Sequence, residues 1–73
     1  MSDLTERQKK ILLFIKNHMR VKQYPPTRRE IMKAFGIKGY FSIHRHLNAM
    51  MQKGYIKLIP NIARGIIIIE KGE

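Results

Sequence analysis

The sequence contains no cysteine among its 73 residues, which excludes disulfides, zinc–thiolate sites and thiol catalysis. It also has no apolar run near the roughly 18 residues that a membrane-spanning helix needs, and no secretory signal pattern. We therefore expect a single small domain over residues 1–73 that is held together by apolar packing. We expect it to remain in the cytoplasm and to have no membrane partner.

Acidic residues are scarce, which leaves the chain strongly basic. Five acids oppose fifteen lysines and arginines, for a formal net charge of +10, and Glu30 is the only acid between positions 7 and 69. Such a charge attracts phosphate polyanions. The charge therefore favours a nucleic-acid partner, and with it association with the nucleoid.

The residue types and spacings that a catalytic or metal-binding site requires are missing as well. His44 and His46 are two positions apart, so on a helix they diverge by about 200° and cannot share a metal. His18 lies on a different predicted helix, and no carboxylate cluster accompanies it. No nucleophile–base pair or phosphate-binding glycine loop is present. We therefore expect no catalytic site, metal, cofactor or small-molecule ligand.

Local signals predict three helices, over about residues 6–22, 28–35 and 40–53. Thr5 to Gln8 and Thr27 to Glu30 both have the spacing of a capping box at a helix start. Gly36 suits a left-handed C-cap at the end of the second helix. The apolar positions predicted to face inward on the first two helices are Ile11, Leu12, Ile15, Met19, Ile31, Ala34 and Phe35.

The tail changes to residues that favour strands. Two runs, at about 55–59 and 66–69, are separated by a loop that contains Pro60 and Gly65, which predicts a hairpin. The whole pattern predicts a mainly α fold with a small β-hairpin, a three-helix winged helix-turn-helix.

The third helix has one apolar face and one that suits base edges. Ile43, Leu47 and Met50 form the predicted core face, and His46 beside them is interpreted as a packing residue. Arginine can bind guanine, asparagine can pair with adenine, and aromatic surface can touch a thymine methyl group. Phe41 either meets a base or covers the preceding turn. The predicted base-reading residues are Gly39, Phe41, Ser42, His44, Arg45 and Asn48.

A second set of residues is predicted to hold the phosphate backbone through a cationic side chain or a helix N-terminus. These residues are Thr27, Arg28, Lys38, Lys53 and Arg64.

The chain resembles the N-terminal DNA-binding domain of the LexA family, repressors of the bacterial DNA-damage (SOS) response. The resemblance covers nearly the whole chain without a gap. It rests on Leu4-Thr5 with Arg7-Gln8, Pro25-Pro26-Thr27-Arg28 with Glu30-Ile31, Gly36, His46-Leu47, Lys53-Gly54 with Ile56, and Arg64-Gly65-Ile66. It implies a winged helix-turn-helix repressor domain, from a bacterium or phage, that binds a double-stranded DNA operator.

Two departures from the family qualify that implication. Gly39, Phe41, His44 and Arg45 stand where the reading helix of the family usually has a serine, an asparagine and acids, so the familiar operator is not expected. The self-cleaving, dimerising domain of such repressors, with its serine–lysine dyad, is absent from this sequence. We expect either an excised domain or a short natural protein, with a second copy on the adjacent half-site.

Two alternatives use the same scaffold differently. The run Ile66-Ile67-Ile68-Ile69 suits a strand covered on both faces, as in a protein-interaction module acting as an anti-repressor or accessory factor; the same residues could instead fill the core beside Ile56 and Leu58. RNA binding would use the basic charge, but aromatic platforms for single-stranded bases are missing.

Overall fold

The computed structural model describes residues 4–69. In chain order it contains helices α1 (Glu6–Lys22), α2 (Arg28–Phe35) and α3 (Tyr40–Gln52), and strands β1 (Ile56–Leu58) and β2 (Ile66–Ile68). The two strands pair antiparallel, with Ile56 opposite Ile68 and Leu58 opposite Ile66. The predicted fold, mainly α with a small hairpin in the order of a winged helix-turn-helix, is confirmed.

Both predicted capping boxes are present. The Thr5 hydroxyl accepts the Gln8 backbone N–H at 3.1 Å, and the Gln8 side chain accepts the Thr5 N–H at 3.3 Å. Thr27 and Glu30 repeat the arrangement at α2, with distances of 3.1 and 2.9 Å. Each threonine cap contributes on the order of 1 kcal/mol, so both helix starts are fixed by local sequence.

The end of α2 depends on Gly36. This residue has a φ of 66°, and its N–H donates to the carbonyl of Met32, as predicted for a left-handed C-cap. Residues 37–39 then turn the chain into α3, which packs against α2. The glycine therefore determines how the two helices of the helix-turn-helix meet.

The core lies between the three helices and the hairpin. Its buried apolar residues are Leu4, Ile11, Ile15, Ile31, Ile43, Leu47, Met50, Ile56 and Ile66. Two residues predicted to face inward do not, because Met19 is 37% exposed and Ala34 is also exposed. Met19 lies near the C-terminal end of α1 and Ala34 near that of α2, where the other elements do not cover them.

The isoleucine run alternates between core and solvent. Ile66 is buried, whereas Ile67 and Ile69 are 44% and 42% exposed. The strand is therefore not covered on both faces within residues 4–69, and Ile66 joins Ile56 in the core.

Candidate nucleic-acid interface

Helix α3 presents a continuous exposed surface opposite its buried residues. Ile43, Leu47 and Met50 are fully buried and fix the rotation of the helix about its axis. Because a helix turns by 100° per residue, this packing directs intervening positions outward. Among the predicted base-reading residues, Gly39, Phe41, Ser42, His44 and Arg45 are exposed and Asn48 is half-buried.

Phe41 and Arg45 form a pair one turn apart on this surface. The Phe41 side chain is 76% exposed, which is the largest exposure among the large apolar residues of the described chain. The guanidinium carbon of Arg45 lies 5.9 Å from the centre of the ring, near the outer limit of a cation–π contact. Phe41 is therefore open to solvent beside Arg45, and its contact with a base stays a prediction.

The N-terminal end of α3 is open. Gly39 is its N-cap, and no side chain caps the helix. The first N–H groups of a helix have no partner within the helix, and they carry the positive end of its dipole. This end of α3 can therefore donate hydrogen bonds to an anion or a base.

His46 supports α3 from the side. The amide nitrogen of the buried Gln8 lies 3.4 Å from Nδ1 of His46, within hydrogen-bond distance. Burial, with the nearby charges of Arg7 and Arg45, lowers the pKa of His46. The ring thus links α3 to the N-terminal cap of α1, consistent with the predicted packing role.

The starts of α2 and α3 meet at a shallow cleft. It has a volume of about 430 Å³ and is lined by Thr27, Arg28, Arg29, Tyr40 and Ala63. The Nε of Arg28 is buried and has no hydrogen-bond partner within residues 4–69. The cleft therefore combines a helix N-terminus with cationic side chains, an arrangement suited to phosphate.

Arg29 and Tyr40 in this cleft were missed by the sequence reasoning. Both are exposed, and each lies within the first two positions of its helix. The available signal was that Arg29 and Tyr40 lie at helix N-termini, where anions bind favourably.

The two lysines predicted to bind phosphate lie at opposite ends of α3. Lys38 is exposed in the turn before the helix, and the half-buried Lys53 is its C-cap. The helical rise separates these positions by about 20 Å, so the two side chains would meet different stretches of a duplex.

Arg64 has a different arrangement from the one predicted. Its guanidinium donates to both carboxylate oxygens of Glu30, at 3.0 and 3.1 Å, and to the carbonyl of Pro25 at 2.8 Å. It also lies 4.4 Å from the centre of the Tyr24 ring. Because these contacts engage the guanidinium within the domain, we assign Arg64 to the support of the hairpin. Its contact with phosphate stays a prediction.

The wing, residues 60–65 between β1 and β2, is a constrained loop with an exposed tip. Asn61 has a φ of 65°, and Ile62 is 51% exposed. A Cβ on Gly65 would lie 2.5 Å from the carbonyl oxygen of Ile59, so only glycine fits there. The close approach at Gly65 and the anchored Arg64 hold the wing in place beside α2.

Residues 4–69 contain no group of three side chains that could together hold a metal ion. No helix in this part of the chain is long and apolar enough to cross a membrane.

Comparison with known proteins places the chain in a family. The sequence profile of the LexA DNA-binding domain matches residues 1–65. The LexA repressor of Clostridioides difficile (strain 630) is 42% identical over 71 residues, which are 97% of this chain and 34% of that protein. The LexA repressor of Staphylococcus aureus (strain Newman) is 42% identical over 69 residues, 94% of this chain and 33% of that repressor. The chain therefore spans about a third of the length of these relatives, and it belongs to the LexA DNA-binding-domain family.

Proposed function

We propose that this chain is a sequence-specific, double-stranded DNA-binding domain of a transcriptional repressor. The observation that carries the proposal is the exposed face of α3, which is the second helix of the helix-turn-helix. Three fully buried residues on the opposite side of α3 direct this face outward. The basic charge and the family support this role over the protein-interaction alternative. As in its relatives named LexA repressor, the role would be repression, here within a bacterial or phage DNA-damage response in the cytoplasm.

In this proposal α3 enters the major groove and reads bases with its N-terminal half. Arg45 would bind a guanine edge, Phe41 would contact a thymine methyl group, and Asn48 would pair with an adenine. Ser42, His44 and Gly39 complete the reading surface. Because these residues differ from those usual in the family, the preferred sequence would differ from the familiar operator.

Phosphate contacts would surround this surface. The cleft at the starts of α2 and α3 would hold one phosphate through Thr27, Arg28, Arg29 and Tyr40. Lys38 and Lys53 would bind phosphates at the two ends of α3. The exposed wing would contact the minor groove or backbone beside the site.

One reading helix contacts only a few base pairs, so tight binding would require a second copy on an adjacent half-site.

Selection of bound sequences from random duplex DNA tests the proposal. We expect an enriched half-site, repeated in inverted orientation at a spacing near one or more helical turns. A folded protein that enriches no sequence over the starting pool would contradict sequence-specific binding, and preference for single-stranded RNA over duplex DNA would contradict the choice of partner.

A further inference from the structure

Strand β2 has one edge that no other strand covers in residues 4–69. The Ile59 N–H donates to the Gly65 carbonyl at 2.8 Å, and the Ile69 N–H donates to the Tyr55 carbonyl at 3.0 Å. Hydrogen-bonded pairs alternate along an antiparallel ladder. The backbone groups of Ile66 and Ile68 therefore point away from β1, toward the open edge.

The connection between α1 and α2 passes this edge but cannot pair with it as a third strand. Pro25 lies beside β2, and neither it nor Pro26 has an N–H to donate. The Pro25 carbonyl already accepts from Arg64 at 2.8 Å. The edge is thus left open by the local sequence.

A groove of about 700 Å³ lies between β2 and the C-terminal half of α1. Its exposed apolar surface comes from Met19 and Ile67, which are 37% and 44% exposed. Lys16 and Arg20, one helical turn apart on α1, supply cationic charge beside this surface. Arg20 donates to the neutral amide of Asn17, so this bond leaves its charge uncompensated.

The chemistry of the groove indicates which partner fits it. None of its lining residues is acidic, and none belongs to α3. A second copy would bring the same lysine and arginine of each chain together, and each chain carries a net charge of +10. An acidic segment is complementary instead.

We propose that this edge binds an extended, acidic and apolar segment of another protein by strand addition. The main chain of the segment pairs with Ile66 and Ile68, as in other complexes formed at a sheet edge. Its apolar side chains pack on Met19 and Ile67, and its carboxylates face Lys16 and Arg20. This surface is separate from α3, the proposed reading helix.

The test uses an acetylated peptide of alternating valine and glutamate, titrated into the 73-residue protein and followed by amide NMR. We expect the Ile66 and Ile68 amides to shift and to exchange more slowly with solvent, while those of Phe41 and Arg45 remain unchanged. A valine–lysine peptide and a valine–glutamate peptide with a central proline serve as controls, and neither should bind. Equal binding of all three peptides, or no shift at β2, would overturn the proposal.

Charge reversal on the groove provides a second test. The double variant Lys16→Glu, Arg20→Glu should weaken peptide binding about tenfold, because two attractive pairs become repulsive. The matched variant Lys10→Glu, Lys33→Glu changes the net charge equally outside the groove, and it should remain within about twofold of the wild type.

Two other occupants would be recognised in the same experiments. If the groove variant lost much more affinity for duplex DNA than the matched variant, the groove would be a DNA contact. If the Ile66 and Ile68 amides shifted with protein concentration alone, a second copy would be the occupant. Either result would overturn the acidic-segment proposal, whereas the DNA-binding function is tested separately by site selection.

Discussion

Arg64 and Glu30 are joined by two parallel hydrogen bonds, of 3.0 and 3.1 Å, across 34 positions of sequence. Glu30 is also the capping residue of α2, and its Oε1 lies 3.6 Å from Nε2 of His18 on α1. The pair therefore links the wing to the start of the helix-turn-helix and to the first helix. The Glu30 carboxylate therefore helps to hold the wing in position beside α2.

Changing Glu30 to glutamine should make stability less dependent on pH in acid. Hydrogen bonds from Arg64 and then from the Thr27 backbone lower the pKa of Glu30 from 4.5 to about 2. A carboxylate with a lowered folded-state pKa stabilises the fold above pH 4.5, and this contribution is lost as the pH falls from 4.5 to 2. Urea midpoints should therefore be lower for Glu30→Gln at pH 6 and approach those of the wild type near pH 2.

Glu6→Gln is the matched control for this series. The Glu6 side chain is 83% exposed and forms an ion pair with Lys9 at 3.5 Å. Exposed pairs of this kind contribute little, so its midpoint should follow the wild type at both pH values. A Glu30→Gln midpoint equal to that of the wild type at pH 6 would show that the link to Arg64 does not stabilise the fold.

Alanine should be much more destabilising at Gly36 than at Gly39. Neither position has an atom within 4 Å of an added Cβ, so the backbone conformation alone decides the outcome. Gly36 has a φ of 66°, where an L-residue costs about 1–2 kcal/mol. Gly39 has a φ of −120°, which alanine adopts without strain. The gain of about 0.4–1 kcal/mol from the less flexible unfolded chain is opposed by the preference for glycine over alanine at an N-cap, so alanine there should be close to neutral. Urea unfolding at neutral pH measures both, and equal destabilisation would contradict the C-cap account.

His46 should make the fold weaker below neutral pH. Burial, aided by the charges of Arg7 and Arg45, lowers its pKa below the ordinary value of 6.5. The unfolded chain then binds a proton at higher pH than the folded chain. Stability should therefore fall as the pH drops through 6.5, and stop falling below the folded-state pKa.

His46→Gln should remove this pH dependence. His44→Gln, on the exposed side of the same helix, should retain it. Thermal unfolding between pH 8 and 5 separates the two variants. A slope that survives in His46→Gln would mean that another group causes it.

Arg28 and Arg64 should differ in their effect on the salt dependence of DNA binding. If Arg28 holds a phosphate, Arg28→Ala should weaken binding to all sequences alike and reduce the salt slope by about one unit. Arg64→Ala should lower thermal stability but leave the slope unchanged, because its guanidinium is bound to Glu30. Affinities measured at salt concentrations from about 50 to 300 mM, where the effect is large, test both predictions. A reduced slope for Arg64→Ala would show that Arg64 binds phosphate as well as Glu30.

The features predictable from sequence were those set by neighbouring residues. The caps at Thr5, Thr27 and Gly36 follow from local spacing, as does the core face of α3. Periodicity identified the apolar stripe of α1, but it could not show that the other elements leave Met19 exposed to solvent.

The features that could not be predicted depend on distant contacts. The role of Arg64 requires knowing that the wing folds back to Glu30, since no local pattern records a contact over 34 positions. The cleft with Arg29 and Tyr40 forms when two helix starts meet, and the open edge of β2 depends on how the chain passes Pro25. In each case the sequence contains the residues but does not show which of them come into contact.

The central claim is that α3 reads bases with its exposed face, and Arg45 tests it most directly. Arg45→Ala should be compared with Lys53→Ala by affinity for the selected site and for random duplex DNA of equal length. We predict that Arg45→Ala costs about 1–3 kcal/mol on the selected site, with a much smaller loss on random DNA, whereas Lys53→Ala weakens both alike. Equal losses on the two DNAs for Arg45→Ala would contradict the claim that this face of α3 recognises sequence.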